Sequence, residues 1–186
     1  MKLTLVSSNA DKAREVAEFF GNSLEVNHVP LDIPELRSDD VNEIARQKAG
    51  YAFNCLLTPL IVDDTTFSID CLGGFPGPYA AYVLHTIGNA GILKIMKGEE
   101  DRNAHFTTSI AFADKEGIRV FSGTIHGRIV TTSRGTGGFG YDSIFEINGR
   151  TLAELPIEEK SRISHRALAL SAFRDWVMKE YKLLST

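Results

Sequence analysis

Apolar positions along this chain alternate between two rhythms. "KLTLV" (2–6) reads as a short buried strand, and the polar turn "SSNADK" follows it. From Asp11 the spacing changes: residues 13, 16, 17, 19 and 20 are apolar, one stripe of a 3.6-residue period, and Gly21 stops the run. Strand, turn and helix form a first α/β unit. A second strand is predicted over 24–29, ahead of the Pro-bounded segment "PLDIPEL".

The longer elements follow. Val41, Ile44, Ala45, Ala49, Ala52, Phe53 and Leu56 share one face of a helix predicted over 39–57, which Pro59 ends. "LIVDD" (60–64) is apolar up to its two acids, the pattern of a strand covered on both faces. Residues 67–79 begin extended and finish in a Gly/Pro loop, with short helices expected over 79–85 and 89–96. "HFTTSIAFAD" and "IRVFSGTIHGRIV", joined across "KEG", predict an antiparallel hairpin. "SIFEING" then turns at Asn148-Gly149, and a last helix is predicted over 161–181, apolar at 163, 167, 170, 173, 177 and 181. No repeat, low-complexity tract or linker interrupts the chain. The expectation is one domain over 1–186, a mixed α/β fold with a long central sheet.

Composition narrows this picture only slightly. A chain of 186 residues, 43% hydrophobic and 24% charged, is about one soluble globular domain. The two cysteines, Cys55 and Cys71, lack metal-ligand spacing and read as small buried apolar residues in a reducing compartment. No apolar run approaches the roughly 18 residues that span a bilayer, so no membrane association is expected. "MKLTLVSS" carries an apolar part of about three residues and no cleavage site follows, so a cytoplasmic location is expected. A net charge of −4 argues against binding a nucleic-acid polymer. It leaves room for a small anion, because local lysines set the field inside a cleft.

Candidate chemistry begins at "GTGGFGYD" (135–142), whose first six residues satisfy G-x-G-x-x-G. A dinucleotide fingerprint must lie between a strand and a helix, and the β-prone "YDSIFEING" that follows offers no helix for a pyrophosphate to cap. Glycines beside Phe139 and Asp142 suit either a flat heterocycle or a β-turn with a core phenylalanine. Asp63 and Asp64 are either a solvated strand end or a source of hard oxygen ligands for Mg²⁺, with Glu35 in "IPEL" as a possible second ligand. Lys12 lies at a helix N-terminus, where a bound anion would relieve its conflict with the helix dipole. Lys160 opens the last predicted helix and repeats that oddity, while Lys48 lies within the long helix; each lysine alone also reads as a solvated side chain. His165 and Arg166, about 100° apart on a helix, can flank one pocket edge. Arg166 there suits a keto oxygen and opposes an amino group, unless it is an ordinary surface arginine.

Together "SSNADKAREV", "DIPEL", "NEIARQKA", "IVDDTTFSIDCLGGFPGPY", "GTGGFGYDSIF" and "EKSRISHRALAL" resemble the inosine/xanthosine triphosphate pyrophosphatases, enzymes that hydrolyse deaminated purine nucleotides. The resemblance runs nearly end to end. It implies a mixed α/β fold of two lobes around an elongated mixed β-sheet, with a nucleotide cleft between them, and a homodimer. It further implies Mg²⁺-dependent cleavage of ITP, dITP or XTP between the α- and β-phosphates, giving a nucleoside monophosphate and pyrophosphate. By motif position Glu35 and Asp64 are its metal ligands and Asp64 its proton acceptor, with Asp63 in support. Ser7, Ser8, Asn9, Ala10, Asp11 and Lys12, with Lys48, Thr65 and Lys160, occupy the triphosphate and sugar contacts. Phe139, Gly140, Tyr141 and Asp142, with His165 and Arg166, occupy the base pocket.

The chain departs from that family at three places. Ser8 and Asp11 replace commoner residues in the first turn, and Asp11 brings a negative charge near the expected phosphate site. Ala81 stands where a cation is common, and Asp63 replaces the more frequent glutamate. Two other functions remain compatible: a pyrophosphatase for other modified nucleotides, and a nucleotide-binding regulator with little turnover.

Overall fold

The structure, a computed structural model, describes residues 2–34 and 38–181. In chain order it contains β1 (Lys2–Val6), α1 (Ala10–Phe20), β2 (Glu25–Val29), α2 (Val41–Leu56), β3 (Leu60–Ile69), β4 (Pro76–Gly77), α3 (Ala80–Thr86) and α4 (Gly88–Ile95). The hairpin β5 (Asn103–Asp114) and β6 (Gly117–Ile129) follows, then β7 (Phe145–Ile147), β8 (Arg150–Thr151), α5 (Ile157–Ile163) and α6 (His165–Trp176). All eight strands join one mixed sheet in the order β2-β1-β3-β5-β6-β7-β8, with β4 beside β3. β1 runs parallel to β2 and β3, and the rest is antiparallel. Among the described residues no helix is long and apolar enough to cross a membrane.

Three apolar clusters hold the sheet, and their positions define two lobes. In the first lobe α2 covers one face, packing Ala45, Ala49 and Ala52 on Val6, Leu60, Val62, Ala111 and Ala113. On the opposite face α1 and α6 bury Val16, Phe20, Leu170 and Phe173 against Leu5, Ile61, Ile110 and Phe112. In the second lobe α3 and α4 bring Val83, Ile92 and Met96 onto Phe67, Ile69, Phe106, Ile125 and Phe145. β3, β5 and β6 run through both lobes. Burial of each of these side chains larger than alanine contributes about 1.5–3 kcal/mol before the entropy of folding is counted.

Between the clusters the long strands turn polar. Asp64, Thr65 and Thr66 of β3 lie opposite Ser109, Thr108 and Thr107 of β5, which lie opposite Ser122, Gly123 and Thr124 of β6. Such a belt is tolerable only when its hydroxyls are partnered. Thr65 meets Thr108 at 2.7 Å and Thr107 meets Thr124 at 2.9 Å, while Ser109 and Ser122 both donate to Asn42 of α2.

Several sequence expectations change. The strand predicted over 60–64 continues to Ile69, because the β-branched Thr65 and Thr66 carry the ladder on to the Ile69–Ala104 pair. The single helix predicted over 161–181 is two helices broken at Ser164, whose extended backbone and side chain cap α6 by accepting the Ala167 N–H. Lys160 therefore stands in the last turn of α5 and does not open a helix. Cys55 is exposed and Cys71 half-buried, because Cys55 falls outside the apolar stripe of α2.

Candidate active site

The cleft arises from a gap in the sheet. On one side β3 pairs with β1 only through Leu60–Val62 and with β4 only through Phe67 and Ser68. Among the described residues, 63–66 pair with no strand but β5, and a cleft of about 450 Å³ opens over that edge. It lies beyond the carboxyl end of β1, where open α/β sheets bind ligands. Consecutive strand residues face opposite ways. Asp63 accordingly points with Ile61 toward α1 and α6, and Asp64 with Val62 toward α2. Because the edge is open, both still line the cleft.

The turn after β1 forms one end of the cleft. Asn9 caps α1, its Oδ1 accepting the N–H groups of Asp11 (2.9 Å) and Lys12 (3.2 Å). Lys12 reaches from that turn to Asp63, with Nζ 2.6 Å from Oδ1 and 3.2 Å from the backbone oxygen. Lys48 of α2 stands 2.5 Å from Asp64 Oδ2. That contact is an ion pair without hydrogen-bond alignment, so Asp64 Oδ2 is a buried oxygen with no hydrogen bond, while Oδ1 accepts the Thr65 N–H at 3.1 Å.

Along the cleft floor runs a chain of six charges, five of them buried and the sixth, Lys12, half-buried. Arg166 donates through Nε to Asp63 Oδ2 (2.6 Å), through Nη2 to Asp63 Oδ1 (3.3 Å) and Thr65 Oγ1 (3.2 Å), and through Nη1 to Glu15. Glu15 also takes Lys160 at 2.5 Å, and Lys160 lies 2.5 Å from Asp142 Oδ2. The order Lys12–Asp63–Arg166–Glu15–Lys160–Asp142 alternates sign and contains three cations and three carboxylates. Burial alone would raise the Asp63 carboxyl, but the charges of Arg166 and Lys12 outweigh it and hold the group well below the ordinary carboxylate range. For Asp142 burial prevails over Lys160 and pushes the carboxyl up.

The glycine stretch wraps the far end of this chain. Gly138 has φ +66°, and a Cβ there would stand 2.1 Å from Asp142 Oδ2, so the backbone closes over the carboxylate only without a side chain. Asp142 Oδ2 also accepts the Phe139 N–H at 2.8 Å. The Phe139 ring lies under Lys160 Nζ at 4.8 Å and Arg166 at 5.9 Å. Tyr141 lines the cleft but is anchored in the core, donating to Ala80 O at 2.7 Å and stacked on Phe67 at 4.5 Å. Asn89 of α4 donates to the carbonyl of Gly140 at 2.9 Å and holds the loop from the other side.

His165 opens α6 directly against the sheet. Gly123 permits this approach, since a Cβ there would meet the His165 carbonyl at 2.4 Å and the Ala169 amide at 2.6 Å. The imidazole stacks on Phe106 with centroids 4.7 Å apart, and Nδ1 lies 2.5 Å from Thr108 Oγ1. Burial, then the charge of Arg166, lowers its basicity well below that of a free imidazole.

Fifteen of the sequence-predicted residues therefore line one cleft: Ser7, Ser8, Asn9, Lys12, Lys48, Asp63, Asp64, Thr65, Phe139, Gly140, Tyr141, Asp142, Lys160, His165 and Arg166. Ala10 and Asp11 do not. Asp11 turns to an exposed pair with Arg14 at 2.5 Å, so its charge is directed away from the cleft. Glu35 lies outside the described residues. Sequence reasoning missed Glu15, Thr108 and Gly123, together with the walls built by Leu31, Ile33, Tyr79, Tyr82 and Phe106. The available signal was a Thr-Thr-Ser run interrupting an otherwise apolar strand.

A sequence profile of the Ham1 family matches residues 3–176. A dITP/XTP pyrophosphatase of Methanopyrus kandleri is 46% identical over 180 residues, spanning 95% of this chain and 96% of its own. The inosine triphosphate pyrophosphatase 2 of Trypanosoma cruzi is 43% identical over 177 residues, spanning 93% and 90%. Among solved structures, the Ham1 protein of Staphylococcus aureus superposes with a TM-score of 0.83 at 28% identity, covering 97% of this chain and all of the other. A HAM1 protein of Coxiella burnetii gives 0.84 at 29% identity, over 96% and 99%.

Proposed function

The chain belongs to the Ham1 family, and from that premise we propose that it hydrolyses deaminated purine nucleoside triphosphates, namely ITP, dITP and XTP, to the monophosphate and pyrophosphate. One observation carries the reading. A single cleft joins one end that holds Lys12, Lys48 and the Asp64 oxygen without a hydrogen bond to another that holds the Phe139 ring backed by fixed cations. The first end suits a polyphosphate and the second a flat base.

Mg²⁺ fits the first end. It holds few protein oxygens and keeps water and phosphate as its other ligands. Asp64 Oδ2 is such an oxygen, whereas both oxygens of Asp63 are taken by Lys12 and Arg166. Asp64 would hold the ion, with Glu35 as second ligand by family resemblance, and when bound it would neutralise phosphate charge and acidify water.

The chain's own residues do the rest. Asp64 accepts the proton of the attacking water as the new P–O bond forms. The α–β anhydride bond breaks, and pyrophosphate leaves with the bonding electrons. Lys48, released from Asp64, and Lys12 at the α1 N-terminus stabilise the departing charge. Phe139 stacks on the base. Lys160 and Arg166, already neutralised behind it, keep that ring in place.

Homodimerisation belongs to the same proposal and rests on the resemblance; light scattering on the purified protein checks it. The central experiment is a substrate panel of ITP, XTP, dUTP, a modified UTP and ATP with Mg²⁺, assaying pyrophosphate separately from orthophosphate. Pyrophosphate from ITP and XTP well above that from ATP is the expected result. Orthophosphate alone, or equal turnover of ATP, would overturn the reading.

A further inference from the structure

The polar belt contains a hydrogen-bond relay that ends at the cleft. Arg166 Nη2 lies 3.2 Å from Thr65 Oγ1, Thr65 Oγ1 lies 2.7 Å from Thr108 Oγ1, and Thr108 Oγ1 lies 2.5 Å from His165 Nδ1. Thr108 is fully buried and His165 nearly so. A guanidinium has donors and no acceptor, so the first link has only one direction. Each hydroxyl carries a single hydrogen. If Thr65 donates to Thr108 and Thr108 donates to His165, every hydroxyl hydrogen in the chain has an acceptor. If the order reverses, so that His165 Nδ1 donates to Thr108 and Thr108 to Thr65, the Thr65 hydrogen has no acceptor among its described partners. Thr65 is part-buried at the cleft, and only the first order gives every hydroxyl hydrogen of the relay an acceptor within the protein, so it is the favoured arrangement.

We propose that Thr108 is a positioning residue: with Thr65 it makes His165 Nδ1 an acceptor and thereby sets the imidazole as the Nε2–H tautomer, a fixed hydrogen-bond donor to the ligand in the cleft. Three further features agree with this direction. The His165 ring lines the cleft, its face is fixed by the stack on Phe106, and Nε2 has no protein partner among the described residues. Arg166, the residue that the sequence selects to read a keto oxygen, already donates to Asp63, Glu15 and Thr65. The donor with no such commitment is His165. Its complement on the ligand is an acceptor such as the C6 oxygen of hypoxanthine or xanthine, while an amino group at that position would set donor against donor.

The tautomer concerns the protein alone; its use in selection rests on the purine-pyrophosphatase reading above. Two measurements separate them. Nitrogen-15 NMR of the ring in the unliganded full-length protein should show an unprotonated Nδ1 and a protonated Nε2. A protonated Nδ1 overturns the relay, whatever the enzyme hydrolyses. Thr108→Val should then lose the fixed tautomer and reduce the ITP-over-ATP ratio of kcat/KM roughly tenfold, the scale of one net hydrogen bond. KM for ITP should carry most of that change, and Thr108→Ser should restore the ratio. Thr65→Val removes the middle of the same relay, and should shift the ring signals in the same sense if Thr108→Val proves unstable. An unchanged ratio in a Thr108→Val protein whose tautomer has altered overturns the role in selection. Absence of pyrophosphate release from any deaminated purine triphosphate by the unmodified protein refutes the functional reading, while the NMR result still decides the relay.

Discussion

Glu15 is the middle carboxylate of the buried ion chain, and Glu15→Gln removes its charge with little change of shape. Its side chain touches both Arg166 and Lys160, all three with side chains under one-tenth exposed. Before substitution the six groups sum to zero; afterward one positive charge is in excess. Breaking a buried ion pair by removing one partner costs about 3–5 kcal/mol. Here each cation keeps a second carboxylate, Asp63 for Arg166 and Asp142 for Lys160. The loss should therefore fall near the lower end, about 3 kcal/mol, which for a chain of this length lowers Tm by roughly 6–12 °C. Calorimetry at neutral pH and moderate salt measures it. Added ITP should recover more of the loss than it adds to the unmodified protein, because an anion in the cleft faces the surplus charge. A Tm within a degree of the original would refute the reasoning: water would then reach the six groups and screen them from one another.

Asp64→Asn should abolish Mg²⁺-dependent pyrophosphate release from ITP while circular dichroism and Tm stay near those of the original, since its pair with Lys48 is partly exposed; near-normal turnover would remove Asp64 from the chemistry. Gly123→Ala should push α6 off the sheet, costing about 1–3 kcal/mol by overpacking and displacing His165 and Arg166 together, so thermal stability and turnover should fall in parallel. The pH dependence has a definite sign at His165, whose folded-state pKa is depressed below the ordinary 6.5 by burial first. The unfolded chain takes up a proton as pH falls through that value and the folded chain does so only at lower pH, so this contribution is present above it and drains below. Asp142 is shifted the other way and partly offsets the trend. The difference between urea-unfolding profiles of the original and His165→Gln isolates the histidine, and identical slopes would count against its burial in the neutral form.

Much of the fold is legible because its elements are strongly periodic. The α2 stripe of Val41, Ile44, Ala45, Ala49 and Ala52 is buried as the spacing predicts, and the β5–β6 hairpin differs by only a residue or two at its ends. The break at Ser164 escaped because apolar residues 167, 170, 173 and 177 stay in phase with 163 across it. Ser164 itself, ahead of His165 and Arg166, was a readable cap. Glu15 could not be read at all: a carboxylate on the apolar side of α1 gains its meaning from Lys160 and Arg166, 145 and 151 residues away in sequence. Arg166 was picked out correctly as a cleft residue, but its commitments to Asp63 and Glu15 depend on how α6 meets α1 and β3.

The interrupted edge of β3 restricts where this chain can change length. Asp63 and Asp64 sit one step apart on a ladder that β5 holds in place from Leu60 to Ile69, so inserting or deleting one residue upstream in that strand would exchange the two acids between Lys12 and Lys48. The turn at Lys115 and Glu116 lies at the tip of the hairpin and imposes no such penalty. Lineages built on this scaffold are expected to gather insertions at that tip. New substrate preferences would then come from repainting the side walls around Leu31 and Tyr82 above an unaltered floor.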